Sequence, residues 1–79
     1  MQIQKNLYVG ANVHLIERDN EYLGKIASVV LTEDKQYKRV LYLRINVDNT
    51  FVSVRLNESK DSDAVEFEGA DCLLTVLED

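Results

Sequence analysis

Seventy-nine residues with a net charge of −5, one cysteine, one histidine, three glycines and neither proline nor tryptophan describe a single small domain, 1–79, with no room for a second core. The lone Cys72 excludes an internal disulfide framework and fits a reducing, cytoplasmic setting. No apolar run nears the roughly 20 residues of a membrane helix, and the opening MQIQKNLYVG lacks the apolar core of a signal peptide.

In chain order, the first periodic segment is 12–18, with Val13 and Leu15 on one face and Ile16 opposite. Asp19-Asn20 signals a turn, so this strand pairs with the next as a hairpin. Residues 23–32 are rich in aliphatic and β-branched side chains, but their alternation is blurred. Gly24 near the start of that strand marks a bulge or a sharp bend. A polar connection over 33–38 follows.

Residues 39–47 give the clearest signal in the chain. Leu41, Leu43, Ile45 and Val47 share one face, while Tyr42, Arg44 and Asn46 share the other. Such alternation is that of a half-buried strand, because successive strand side chains point to opposite faces. Asp48-Asn49-Thr50 makes a tight turn. Residues 51–56 alternate again, Val52, Val54 and Leu56 against Phe51, Ser53 and Arg55. The polar segment 57–63, NESKDSD, is a loop. Residues 64–68 set Val65 and Phe67 inward and Glu66 and Glu68 outward. Gly69-Ala70-Asp71 turns the chain into a last apolar strand over 72–77, where a helix from 69 is the rival reading.

Five to six short antiparallel strands with close turns predict an all-β domain, a small barrel of the SH3-like kind. A chain of this size buries only roughly 60% of its unfolded surface, so a partner or self-association would add stability.

The run Leu7, Gly10, Val13, then Asp19-Asn20-Glu21, then Leu23-Gly24-Lys25-Ile26 and Val29-Val30-Leu31 resembles the opening of a PRC-barrel domain. Residues 40–47 would match that family's following strand, and the resemblance covers residues 7–56. The chain departs from the pattern at Thr32-Glu33-Asp34, where the family has a single Asp turn, and no Pro-Trp-like segment precedes its later strands. The resemblance implies a β-barrel adaptor. PRC barrels occur in a ribosome-maturation factor, where they contact protein, and in the photosynthetic reaction centre.

Catalytic chemistry is thin. Nucleophilic catalysis needs a nucleophile, a base and an orienting group, and the only candidates are His14, inside a strand, and Cys72, at the start of another. They could pair only if folding brings them together, and nothing in the spacing says so. A zinc cluster, a P-loop and a GxGxxG loop are all missing. Counting from Asp61, the Gly and the carboxylate of an EF-hand would fall on Glu66 and Cys72, so that loop fails. No catalytic residue, metal or cofactor is assigned.

Charge is more informative. Residues 1–56 carry eight Lys/Arg against six Asp/Glu, or +2, and residues 57–79 carry one Lys against eight acids, or −7. The expected function is therefore non-catalytic protein binding, as an adaptor or inhibitor. An acidic surface of Glu58, Asp61, Asp63, Glu66, Glu68 and Asp71, or an exposed apolar patch including Tyr42 and Phe51, would meet the partner. One version is a phage-type inhibitor that imitates nucleic acid, since alternating strand acids lie roughly 7 Å apart, near the phosphate repeat. The alternative is direct nucleic-acid binding by Lys38, Arg39, Arg44 and Arg55, with Lys35, Tyr37 and Tyr42 nearby, against which stands the negative total charge. Self-association is a further expectation, and no membrane contact is expected.

Overall fold

The computed structural model describes residues 5–33, 35–36 and 39–77. Asp34, Tyr37 and Lys38 lie outside the described residues, which removes Lys38 from the candidate nucleic-acid contacts that can be placed. Six strands form: β1 Asn12–Glu17, β2 Asn20–Glu33, β3 Arg39–Val47, β4 Thr50–Asn57, β5 Glu66–Glu68 and β6 Cys72–Val76. All neighbours are antiparallel, in one sheet of order β4-β3-β2-β1-β6-β5. The described residues contain no helix, so none is long and apolar enough to cross a membrane.

The all-β expectation and its hairpins hold, but the sheet does not close into the expected barrel. Its edge strands β4 and β5 meet at one isolated bridge, Leu56 to Gly69. Segment 72–76 is a strand, not a helix. Val65 is exposed rather than inward, because β5 starts only at Glu66 and Phe67 alone turns into the core.

The curl of the sheet comes from β2. This 14-residue strand is longer than its neighbours. Its first part pairs with β1 (Glu17 to Asn20 through Asn12 to Lys25), and its second part pairs with β3 (Lys25 to Asn46 through Glu33 to Arg39). The register slips between Ile26 and Ser28, leaving Ala27 as an extra residue, and such a bulge bends a strand and sharpens its twist. At Gly24, next to this slip, a Cβ would strike the carbonyl oxygen of Asn46 and come within 2.9 Å of Ile45 Cγ2 and Val47 Cγ2. The sequence signal at Gly24 was the bend; the bulge lies three residues further on. Where the two edges meet, a Cβ on Gly69 would strike the Arg55 carbonyl oxygen and sit 2.5 Å from Cys72 Sγ.

The core fills the concave side. Val13 and Leu15 of β1, Ile26 of β2, Leu41, Leu43 and Ile45 of β3, Val54 and Leu56 of β4, Phe67 of β5 and Leu74 of β6 are all buried. The chain before β1 adds Leu7 and Ala11. It is fastened where the Gly10 amide donates to the Ile26 carbonyl (2.8 Å) and the Ile26 amide donates to the Ala11 carbonyl (3.0 Å).

The two tight hairpins differ in backbone. Between Val47 and Thr50, Asp48 and Asn49 have φ of 51° and 67°. Positive φ at both central residues is the type I′ pattern, which matches the strand twist. Asn46 Oδ1 accepts the Asn49 amide at 3.0 Å and braces the turn. Between Glu17 and Asn20, Arg18 has φ of 54°, its amide donates to the Asp71 carbonyl (3.3 Å), and its guanidinium reaches the Asp71 carboxylate (3.6 Å).

Two stability predictions follow from the backbone. Gly24→Ala forces a methyl against a strand backbone and is expected to cost about 1–3 kcal/mol, the range for overpacking a tight site. Thermal unfolding would read that as a fall of roughly 4–8 °C per kcal/mol for a domain of this size. At the β3–β4 turn, Asn49→Val should destabilise by about 1–2 kcal/mol, the cost of a non-glycine residue held left-handed, whereas Asn49→Gly should not. Equal effects of the two would contradict the type I′ assignment.

Candidate functional site

The periodicity that buries Leu41, Leu43 and Ile45 necessarily turns Tyr42, Arg44 and Asn46 to the outside. On β4 the same rule exposes Phe51, Ser53 and Arg55. Pairing register then places these side chains beside one another. Tyr42 lies opposite Arg55, Arg44 opposite Ser53 and Asn46 opposite Phe51. On the other flank of β3, β2 supplies Val30 opposite Tyr42, Ser28 opposite Arg44 and Lys25 opposite Asn46. The result is one convex face with three cations, two aromatic rings and an exposed valine. No carboxylate stands among these nine residues.

Both arginines lie over rings. The Arg44 guanidinium carbon is 5.4 Å from the Phe51 ring centroid, and that of Arg55 is 5.9 Å from Tyr42. A cation within about 6 Å of a ring is attracted by its quadrupole. The stacking also holds the guanidinium planes over the sheet, so less rotamer freedom remains to be lost on binding. Phe51 is 56% exposed, Val30 54% and Tyr42 45%. Large apolar groups left this open on adjacent strands form a patch rather than scattered exceptions.

Arg55 also borders a groove of about 970 Å³ at the far end of β4, lined by Gln36, Arg39, Val40, Asn57, Glu58, Ser59, Lys60 and Ala70. Arg39 and Arg55 thus border one groove. Glu58 enters the same groove, with its carboxylate 3.3 Å from Arg39 Nε, and both side chains are partly shielded.

Three of the acidic candidates lie beside cations, and a fourth is used within its own loop. Glu58 faces Arg39, Asp63 reaches Lys5 Nζ at 3.3 Å, and Asp71 reaches Arg18. Asp61 accepts the amide of Asp63 at 2.9 Å, folding the 58–65 loop on itself. Asn6 Nδ2 donates to the carbonyls of Asp63 (2.9 Å) and Ala64 (3.0 Å), so the loop is tied to the start of the chain. Glu66 and Glu68 remain as the outward pair on β5, on either side of buried Phe67. Linear charge counting missed this because the partners Lys5, Arg18 and Arg39 belong to the other two thirds of the sequence.

His14 and Cys72 are on neighbouring strands but not together. His14 is opposite Thr75 and Cys72 is opposite Glu17, three register positions apart and on opposite faces. His14 Nε2 lies 4.0 Å from the Glu21 carboxylate, beside Tyr22, Leu23, Val47 and Asp48. Among the described residues no group of three or more His, Cys, Asp or Glu could hold a metal ion.

The Cys72 thiol is pushed above its ordinary pKa of 9.0, first by burial and then by the charge of Glu17, with Asp71 adding to the effect and a bond from the Gly69 backbone opposing it. The neutral thiol is therefore favoured in the fold. Its contribution to stability is complete below pH 9 and is lost as pH rises through the raised value. Alkylation of Cys72 at neutral pH is expected to be slower than that of the unfolded chain, because the thiolate is the reactive form. Equal rates, followed by mass spectrometry, would contradict its placement.

Comparison with protein-family models, with curated proteins and with solved structures finds no match to this chain.

Proposed function

We propose that the chain is a non-catalytic protein-binding domain, an adaptor or inhibitor, that docks an acidic partner on the convex face of β2, β3 and β4. The observation that carries this reading is the pair of arginine–aromatic stacks, Arg44 on Phe51 and Arg55 on Tyr42, among nine outward residues that include no carboxylate. Tyrosine and arginine are enriched among the residues that dominate binding energy, and such residues cluster at the centre of an interface. Here the rings supply the apolar area and the guanidinium groups supply charge for carboxylates. In the same reading the fold is a small SH3-like or PRC-like barrel left open along one seam. The long bent strand β2 and the contact of the two sheet edges at Leu56 and Gly69 support it. A reducing, cytoplasmic setting goes with it, supported by the single unpaired Cys72.

A second reading rests on the same stacks. Exposed rings beside cations can stack bases and contact phosphates, and base stacking is worth about 1–3 kcal/mol per base. The net charge of −5 opposes a polyanion with a charge on every residue more strongly than a folded protein with a local acidic patch, and protein binding is preferred for that reason. The nucleic-acid-mimic version of the inhibitor would fall back on Asp61, Glu66 and Glu68, since Glu58, Asp63 and Asp71 each lie beside a cation.

The test is affinity capture from nuclease-treated lysate of the source cell, read by mass spectrometry, with three variants in parallel. Tyr42→Ala with Phe51→Ala, and Arg44→Ala with Arg55→Ala, should each release the captured protein. A hot-spot residue is worth roughly 2 kcal/mol or more, so affinity should fall at least tenfold. Glu66→Gln with Glu68→Gln should leave capture intact. Loss only in the glutamine variant would replace this reading with the acidic mimic. Tight binding of a single-stranded oligonucleotide by the wild type, abolished in the arginine variant, would replace it with the nucleic-acid reading.

A further inference from the structure

The two edges of the sheet are managed very differently. The β5 edge is three residues long and carries Glu66 and Glu68. Short length and charge are the usual protections of an exposed edge. The β4 edge is eight residues long and its only charge, Arg55, comes late in the strand. Thr50 to Val54 reads TFVSV, with no charge, no proline and no bulge against β3.

The direction of its backbone groups follows from the turn. Val47 and Thr50 close a two-residue hairpin, so they form a hydrogen-bonded pair, and such pairs alternate along an antiparallel ladder. Thr50, Val52, Val54 and Leu56 therefore spend their amides and carbonyls on β3. Phe51 and Ser53 direct theirs away from it. Among the described residues no strand pairs with β4 on that side before the bridge at Leu56. The Arg55 carbonyl is already covered by Gly69, so the open stretch ends there.

We propose that this edge binds the same edge of a second copy, β4 against β4′ antiparallel about a two-fold axis at Val52. That register puts Phe51 opposite Ser53′ and Ser53 opposite Phe51′. Both residues of each pair direct their amides and carbonyls outward, so each pair exchanges two hydrogen bonds. Val52 meets Val52′ at the centre of the non-hydrogen-bonded pair, where side chains approach most closely. Toward the ends, the Asp48-Asn49 tip of one copy comes alongside Arg55 of the other, an acid beside a cation at both ends. Nowhere in this register do like charges face each other. Shifting the axis to Phe51 or Ser53 would lose this match or run into the covered Arg55 carbonyl. A second copy therefore fits this edge by backbone direction, side-chain shape and charge at one register. The two sheets would run on as one, with the convex faces of both copies side by side.

Sedimentation velocity from micromolar to near-millimolar protein tests this on the intact chain. The wild type is expected to pass from monomer to dimer and to stop there, because an isologous contact closes at two. Ser53→Pro removes an amide that faces outward and takes nothing from the β3 ladder. It should raise the dissociation constant at least tenfold, with the circular-dichroism spectrum unchanged. Ser53→Lys, which leaves the backbone intact and sets a charge on the edge, should do the same and covers the case in which the proline variant does not fold. A wild type that stays monomeric throughout, growth beyond a dimer, or a dimer that survives Ser53→Lys would each overturn the proposal. Variants of Tyr42 and Arg44, which lie off this edge, should still dimerise, so the outcome is independent of partner binding on the convex face.

Discussion

At Gly24 the backbone of β2 passes so close to the Asn46 carbonyl that a single methyl group cannot be fitted between them. That approach lets one 14-residue strand leave β1 and join β3 within a few residues, with the extra Ala27 taking up the change of register. Without it the sheet would be flatter, and the apolar residues of β3 and β4 could not face those of β1 and β6 across one core. Burial of those side chains supplies most of the stabilisation, on the order of 25 cal/mol per Å² removed from water. The contact at Gly24 decides which side chains share that burial. Gly69 repeats the device at the other end, where the sheet edges touch.

The same curvature sorts the charge. Arg44, Arg55 and Lys25 come to one convex face because three strands run side by side at fixed register. Three acids of the last third instead sit in turns and loops beside cations, Asp63 by Lys5, Asp71 by Arg18 and Glu58 by Arg39. The two exposed pairs, Asp63 with Lys5 and Asp71 with Arg18, contribute only about 0–1 kcal/mol each. Their effect is less on stability than on the field outside the molecule, where they leave an arginine-bearing face on an acidic protein.

Much of this was legible in the residues, and the misses have physical causes. The alternation in 39–47 and 51–56 fixed which side chains face out, and Asp48-Asn49 fixed the turn, so the convex face could be read except for its β2 flank. Val30 was obscured because β2 is covered unevenly along its length and its bulge shifts the alternation midway. Val65 looked buried by parity with Phe67, yet the strand had not begun at that point. The open seam could not be read at all, since it depends on how far the sheet curls rather than on any one strand's pattern. Charge summed along the chain likewise ignores partners that only folding brings near, as it does for Glu58, Asp63 and Asp71.

The order of strands in the sheet also bears on how the chain reaches this structure. Val47 and Thr50 pair across two residues, whereas β1 must wait for β6, with Val13 facing Val76. Closing a longer loop costs more chain entropy, and local pairings therefore tend to form first. Synthesis from the N-terminus makes β1 to β4 before the residues of β5 and β6 exist. Until those strands emerge, the inner sides of β1 and β4 have no Leu74 or Phe67 to cover them, and the nascent domain is a four-stranded sheet with two bare edges. The interval most exposed to misassembly with a neighbouring chain is thus set by the delay before β5 and β6 emerge, not by the stability of the finished fold.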